Sequence, residues 1–402
     1  MIVYTLQTDE EEVEGADIIE LRPDRTTRTE HKNPYLLTNQ PPHQNAPYAD
    51  VAYPNKLEPY HQNFPNIKWI YSYHGPFVSK EHVTELLEIM SKERPYLIKC
   101  CFDSIRMGDY LDLIPLFSIY PQKLILFAKG ERCQATRLLS YIFGARWIYT
   151  SKEGFHGQIP FDELKDIYQI SRLHRDTPLF GLLKGEESPK SIGYKLYNPL
   201  FAKKAINALY LNLVIETSEL KKLLDSPYFQ GFSITMPFKE ASVEFCKELD
   251  ASAKLCQTVN TYYKGKGFNT DIEILNDYDF KGKRVAILGG GGVAKAFANF
   301  LKKESLVHVF LRDTHKKKAF EESCGVPVFL LEELLPEFDL VIDTLPVTGL
   351  RLPFKEGATV LDMKVFHDPY YEQSSYFISG REAFLRQGEK QLKIFFETEF
   401  SL

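Results

Sequence analysis

Residues 285–303 read VAILGGGGVAKAFANFLKK, an apolar strand pattern, four glycines and a helix in direct succession. That order confines the segment to a strand that turns sharply into a helix, with backbone free to approach a pyrophosphate at the helix N-terminus. We assign Gly289 to the turn, and Gly291 and Gly292 to the close approach. A structural turn alone would account for the glycines but not for the strand before them and the helix after them, so a bound dinucleotide is expected. The next strand pattern, VHVFLR, ends on Arg312, followed by Asp313, Thr314 and Lys316 to Lys318. An arginine and nearby lysines suit a 2′-phosphate, which favours NADP, with Arg312 and Thr314 as cofactor contacts. Asp313 is the residue type that would instead take an NAD ribose, and the lysines also fit a solvated helix face.

The chain has 402 residues, room for two or three domains. Before residue 174 come eight short apolar runs: IVYTLQ, DIIELR, PYLLTN, ADVAYP, KWIYSYH, PYLIKCCF, KLILFAKG and RWIYTS. Runs without alternation suit strands buried on both faces. Helical patterns KEHVTELLEIMSKE, YLDLIPLF, QATRLLSYIF and FDELKDIYQISRL accompany the later runs, while DRTTRTEHKN and QPPHQNAP between the early ones lack helical periodicity. The expectation is an α/β chain that opens with a trimmed (β/α)8 TIM-type barrel. HRDTP at 174–178 reads as a linker, and a smaller α/β pattern, with KEASVEFCKELD as one of its helices, precedes the glycine turn. The expected division is 1–173 for the barrel, 178–275 completed by 381–402 for a substrate domain, and 276–380 for a Rossmann domain.

Composition narrows the chemistry. With 26% charged and 44% hydrophobic residues and a net charge of -5, neither a nucleic-acid surface nor a disordered chain is indicated. Cys100, Cys101, Cys133, Cys246, Cys256 and Cys324 show no paired CxxC spacing, so they read as reduced thiols of a cytoplasmic protein, without disulfides or zinc. MIVYTLQTDEEEVEG turns acidic too soon for a signal peptide, and no apolar run approaches the ~18 residues of a membrane span. Small-molecule substrates are expected, and assembly into a homo-oligomer stays open.

Three stretches ahead of the glycine turn belong together: KSIGYKLYN at 190–198, SITMPFKEA at 233–241 and TVNTYYKGKGFNTD at 258–271. In order and spacing, residues 178–402 resemble shikimate dehydrogenase. The resemblance implies that Lys239 and Asp271 are the catalytic pair, since ketone reduction needs a proton on oxygen as hydride reaches carbon. It implies that Ser191 binds the substrate carboxylate and Asn260 the ring hydroxyls, helped by Tyr197 and Thr235, and that Gln387 contacts substrate from the closing helix. The sequence departs from the family at Gly193, where a second serine belongs, at Leu311-Arg312-Asp313 in place of Asn-Arg-Thr, and after Asp362, where the expected tyrosine is missing.

The first segment in turn resembles type I 3-dehydroquinate dehydratase, through IIELRPD, YSYHG, YLIKCC, ATRLLSYIFGA and GFHGQI, which fall in order at strand ends. Catalytic residues belong there in a barrel. The resemblance makes Lys99 a Schiff-base amine, which an apolar strand would hold neutral by desolvation, and His74 a proton shuttle titrating near neutrality. Glu20 and Arg22, two apart and so on one strand face, would grip hydroxyls and orient His74. Arg137 would hold the substrate carboxylate and Gln158 would close the site. Departures are Gln40 in place of an arginine, Gly75 after the histidine, Gly154 in place of a serine, and the missing early helices. The leading reading is a bifunctional enzyme that dehydrates 3-dehydroquinate and reduces the product to shikimate with NADPH. The alternatives are a monofunctional dehydrogenase on a scaffold barrel and a non-enzymatic NADP-binding sensor.

Overall fold

The computed structural model describes residues 1–188, 191–347, 353, 355–364 and 376–400, apart from the side chain of Thr314. The chain is α/β and forms two compact units, 1–181 with 189–228, and 182–188 with 229–402.

In the first unit nine parallel strands form one sheet: β1 (Ile2–Thr5), β2 (Ile18–Leu21), β3 (Tyr35–Leu37), β4 (Tyr48–Ala52), β5 (Lys68–Gly75), β6 (Leu97–Phe102), β7 (Leu124–Ala128), β8 (Ile148–Ser151) and β9 (Ile159–Pro160). Their order is β7-β6-β5-β4-β3-β2-β1-β8-β9, so β1 pairs with both β2 and β8. Among the described residues the hydrogen-bonded ladder does not run from β7 to β8. β2, β6 and β7 are buried at every position, which explains why their sequences do not alternate.

Helices follow β5 (Lys80–Lys92, capped by Ser79 accepting from the His82 N–H), β6 (Met107–Leu113 and Leu116–Ile119) and β7 (Ala135–Phe143). Among the described residues none separates β1 from β2, β2 from β3 or β3 from β4, and β4 is followed only by Glu58–Asn63. The pattern FDELKDIYQISRL is not one α-helix: it forms a π-turn over Glu163–Ile167 and a 3-10 turn over Ile170–Arg172. Gln169 between them takes a left-handed φ of 46°, which breaks the helical hydrogen-bond ladder.

In a second sheet β10 (Leu179–Lys184) lies between β11 (Leu209–Val214) and β12 (Phe229–Ile234). From β12 the sheet continues through β14 (Thr261–Tyr263) and β15 (Lys266–Phe268) to β13 (Glu248–Leu249). The pattern KEASVEFCKELD is a 3-10 turn, Ala241–Phe245, leading into β13. Pairing of Glu248 and Leu249 with Lys266 and Gly267 supplies backbone partners that a helix would otherwise provide.

The third sheet is all parallel, in the order β18 (Val328–Leu330), β17 (Leu306–Leu311), β16 (Arg284–Leu288), β19 (Leu340–Asp343), β20 (Thr359–Asp362), β21 (Tyr376–Ile378). Counted from β16 this is 3-2-1-4-5-6, the dinucleotide-binding order. Val285 and Ile287 pack into one apolar cluster with Phe297, and Ala286 and Leu288 into another with Phe310, so β16 is covered on both faces. Among the described residues no helix is long and apolar enough to cross a membrane.

Gly157, at φ +78°, brings its backbone against that of Gly130, and a Cβ there would collide with it. Gly157→Ala is therefore expected to lower stability by roughly 2–4 kcal/mol in denaturant titration. Wild-type stability in this variant would contradict the close approach.

Candidate active sites

In the second unit, Lys239 leaves β12 through the turn Thr235–Phe238, in which the Thr235 carbonyl accepts from the Phe238 N–H. Its Nζ donates to Asp271 Oδ2 at 2.6 Å, with both side chains about nine-tenths buried. Asn260 Nδ2 donates to the other Asp271 oxygen at 2.9 Å and to Thr270 Oγ1 at 3.0 Å, while its own Oδ1 accepts from the Thr270 N–H at 2.9 Å. Thr270 Oγ1 in turn reaches Gln387 Oε1 at 3.4 Å. The Asp271 N–H donates to Asn269 Oδ1 at 3.0 Å. These bonds hold one carboxylate in place with an ammonium against it, an arrangement able to deliver a proton and replace it. Ser191 and Tyr197 belong to the first unit. Ser191 Oγ accepts from the Gly193 N–H at 3.2 Å, and Tyr197 is buried, with its ring 4.9 Å from that of Tyr210.

The glycine turn lies in the same unit as Lys239. Gly289 has φ +111°, and Gly291 is the N-cap of helix Gly292–Leu301 with open space where a Cβ would be. A Cβ on Gly292 would come within 3.1 Å of Lys239 Cβ, so this glycine admits the lysine beside the helix start. Arg312 is exposed, and Asp313 Oδ1 accepts the His315 N–H at 2.9 Å, which engages that carboxylate in its own turn. Thr314 begins the 3-10 turn Thr314–Lys316, and its side chain lies outside the described residues. An open glycine cradle at a helix N-terminus, followed by an exposed arginine, fits an NADP pyrophosphate and 2′-phosphate.

The first unit encloses a second site. Lys99, only 3% exposed, donates from Nζ to Asp50 Oδ2. Ser72 Oγ donates to the other Asp50 oxygen at 2.5 Å. Ser72 pairs with Lys99 across β5 and β6, which puts His74 two residues further along the same strand face. Burial disfavours the Lys99 ammonium, but the Asp50 carboxylate, with Tyr149 and Glu20 behind it, outweighs burial and raises the group above the ordinary lysine value. The expected neutral resting amine is thus replaced by an ion pair, because β4 supplies a carboxylate that the β6 sequence does not reveal.

His74 also departs from expectation. Its surface is exposed, yet protein packed around the ring and the Lys99 ammonium lower the imidazole to about 4. Its open face moderates that depression without changing its direction, and the ring is neutral at pH 7, free to accept a proton. Glu20 accepts from Thr5 Oγ1 at 2.5 Å and from Thr38 Oγ1 at 2.8 Å, so these hydroxyls fix its carboxylate. Gln158 Nε2 joins the chain by donating to Thr5 Oγ1 at 3.3 Å. Arg22 Nε pairs with Asp24 at 3.0 Å. Arg137 donates from Nε to the Gly157 carbonyl at 3.0 Å and from Nη2 to the His156 carbonyl at 3.3 Å. Burial lowers this guanidinium to about 10. It remains a cation held only in part, by two carbonyls rather than a carboxylate.

Residues 183–262 match the model of the shikimate dehydrogenase substrate binding domain. Shikimate biosynthesis protein AroDE of Chlamydia pneumoniae is 28% identical over 375 residues, covering 86% of this chain and 77% of that protein. The chloroplastic bifunctional 3-dehydroquinate dehydratase/shikimate dehydrogenase of Arabidopsis thaliana is 25% identical over 349 residues, 74% of this chain and 58% of that one. This chain resembles the bifunctional dehydroquinate dehydratase/shikimate dehydrogenases. Among solved structures, shikimate dehydrogenase from Aquifex aeolicus aligns with a TM-score of 0.51 at 25% identity, over 57% of this chain and 96% of its own.

Sequence reasoning missed Asp50 and Gln391. A lone acid in the apolar run ADVAYP was the available signal for Asp50. Gln391 accepts from Ser233 Oγ at 2.9 Å and donates to the Asn260 carbonyl at 3.2 Å; one turn beyond Gln387, it carried no separate signal. With Asp50 removed, burial dominates Lys99. Asp50→Asn is therefore expected to move the Lys99 titration down by roughly one pH unit or more, read by lysine side-chain NMR. An unchanged midpoint would show that this carboxylate does not govern the amine.

Proposed function

We propose that the chain is a bifunctional enzyme that dehydrates 3-dehydroquinate to 3-dehydroshikimate and reduces that product to shikimate with NADPH. The observation that carries this reading is a buried lysine–aspartate pair in each unit, Lys99 with Asp50 and Lys239 with Asp271. We read β1–β8 as a (β/α)8-type barrel that has shed its early helices, within residues 1–173. Residues 178–275 with 381–402 form the substrate-binding domain and 276–380 the Rossmann domain.

In the barrel, Asp50 accepts the proton that Lys99 must lose before its nitrogen can bond the ketone carbon. Water leaves as the imine forms, and the imine withdraws electrons from the neighbouring carbon. Neutral His74 takes the proton from that carbon. The elimination then expels the hydroxyl, which leaves as water by taking the proton that His74 carries, and hydrolysis of the imine returns the amine. Glu20 and Arg22 hold hydroxyls, Arg137 the carboxylate, and Gln158 closes the site.

In the other half, Gly289, Gly291 and Gly292 make room for the cofactor pyrophosphate, and Arg312 and Thr314 hold the 2′-phosphate. Bound NADPH supplies the hydride. Lys239 gives its proton to the ketone oxygen, and Asp271, fixed by Asn260, stabilises the charge left behind. Thr235, Asn260 and Gln387 orient the substrate.

Chromatographic analysis of products from 3-dehydroquinate and NADPH tests both halves. Wild type should yield shikimate. Lys239→Met should stop at 3-dehydroshikimate, with reduction slowed by about a hundredfold or more. Lys99→Met should leave 3-dehydroquinate untouched while still reducing added 3-dehydroshikimate. Shikimate from the double variant at the wild-type rate would overturn the assignment.

A further inference from the structure

The interior around Lys99 holds a polar atom that the fold does not use. Tyr149 lies on β8, which runs Ile148–Ser151, and its side chain is 4% exposed. Its hydroxyl is enclosed and has no hydrogen-bond partner among the described residues. Buried tyrosine hydroxyls usually find a partner, because water is given up on burial and nothing replaces it. Phe127 and Trp147 flank the ring at 6.2 and 6.5 Å between centroids, contacts that phenylalanine would make equally well. Packing therefore accounts for the ring and leaves the hydroxyl unexplained.

The surroundings are those of the proposed dehydratase site. Lys99 Nζ stands 5.1 Å from the Tyr149 ring centroid. Glu20 and Asp50 also act on the phenol electrostatically, and burial raises it well above its usual range, so it stays protonated. A second unspent atom, Gln158 Oε1, is also enclosed and without a partner among the described residues, although Gln158 Nε2 is bonded to Thr5. An unpaired hydroxyl on a ring beside an ion-paired amine has the character of a binding surface that its occupant completes.

We propose that Tyr149 touches the substrate at the Lys99 site, its phenol donating a hydrogen bond to the oxygen of the ketone that Lys99 attacks. That oxygen gathers negative charge as the nitrogen adds to carbon, and a donor already fixed in a low-dielectric interior stabilises it without reorganising. The tyrosine keeps its own proton throughout. The assignment rests on the imine reading of Lys99 and adds to it a residue that recognises a cyclic keto acid.

Tyr149→Phe keeps the ring and removes only the oxygen. The expected result is a fall of at least about tenfold in kcat/KM for dehydration, within the range of a lost donor to a developing oxyanion. The melting temperature should be unchanged or raised, because an unsatisfied polar atom is gone, and NADPH-dependent reduction of 3-dehydroshikimate should stay at the wild-type rate. Dehydration within twofold of wild type would overturn the role of Tyr149 and leave the imine reading standing. A wild-type protein that does not dehydrate 3-dehydroquinate, while still reducing 3-dehydroshikimate, would overturn the imine reading and this inference with it.

Discussion

Burying an ammonium inside a parallel sheet is the constraint on which the first half of this chain is built. A lone Lys99 in the apolar strand LIKCCF would lose its proton or pull the strand toward water. Asp50, two strands away in the sheet order, makes its burial tolerable, and Ser72 holds the second Asp50 oxygen. Replacing such a pair with apolar residues is often neutral or stabilising, so stability alone gives little reason for its presence. What the pair provides is an amine with its proton acceptor already in contact.

The second half solves a related problem with a different supporting frame. Lys239 and Asp271 are tied by Asn260, Thr270 and Asn269 into a network that fixes the carboxylate from several sides. The helix Gly380–Phe396 brings Gln387 and Gln391 to the same network. Gly292 lets Lys239 lie against the start of helix Gly292–Leu301. The elements needed for a proton, an orienting carboxylate and a cofactor thus meet within one unit, and each is set by local chemistry: a turn after β12, an Asn-Thr-Asp run after β15, and glycines after β16.

Much of this was legible in the amino acids. The strand–glycine–helix run led to a third sheet in dinucleotide-binding order, because its signals are local: hydrophobic runs, glycines and a helical period. Lys99 stood out as a charged residue in an apolar strand, His74 as a histidine at the end of another, and Lys239 and Asp271 through the motifs that resemble shikimate dehydrogenase. The charge state of Lys99 was not legible, since it depends on Asp50, forty-nine residues earlier and brought close only by the sheet. Glu20 and Arg137 were visible as candidate residues, but their partners Thr5, Thr38, Gly157 and His156 are products of register and loop geometry. KEASVEFCKELD reads as a helix until β15 offers Glu248 and Leu249 a parallel partner. Tyr149 looked like one more aromatic in RWIYTS, and only packing exposes its unused oxygen.

The account stands or falls on Lys99 forming a bond to carbon. Folded protein incubated with 3-dehydroquinate and reduced with borohydride, then digested and analysed by mass spectrometry, tests it directly. The account predicts a secondary amine linking substrate to the peptide that carries Lys99. Efficient dehydration with no adduct on Lys99 would contradict it.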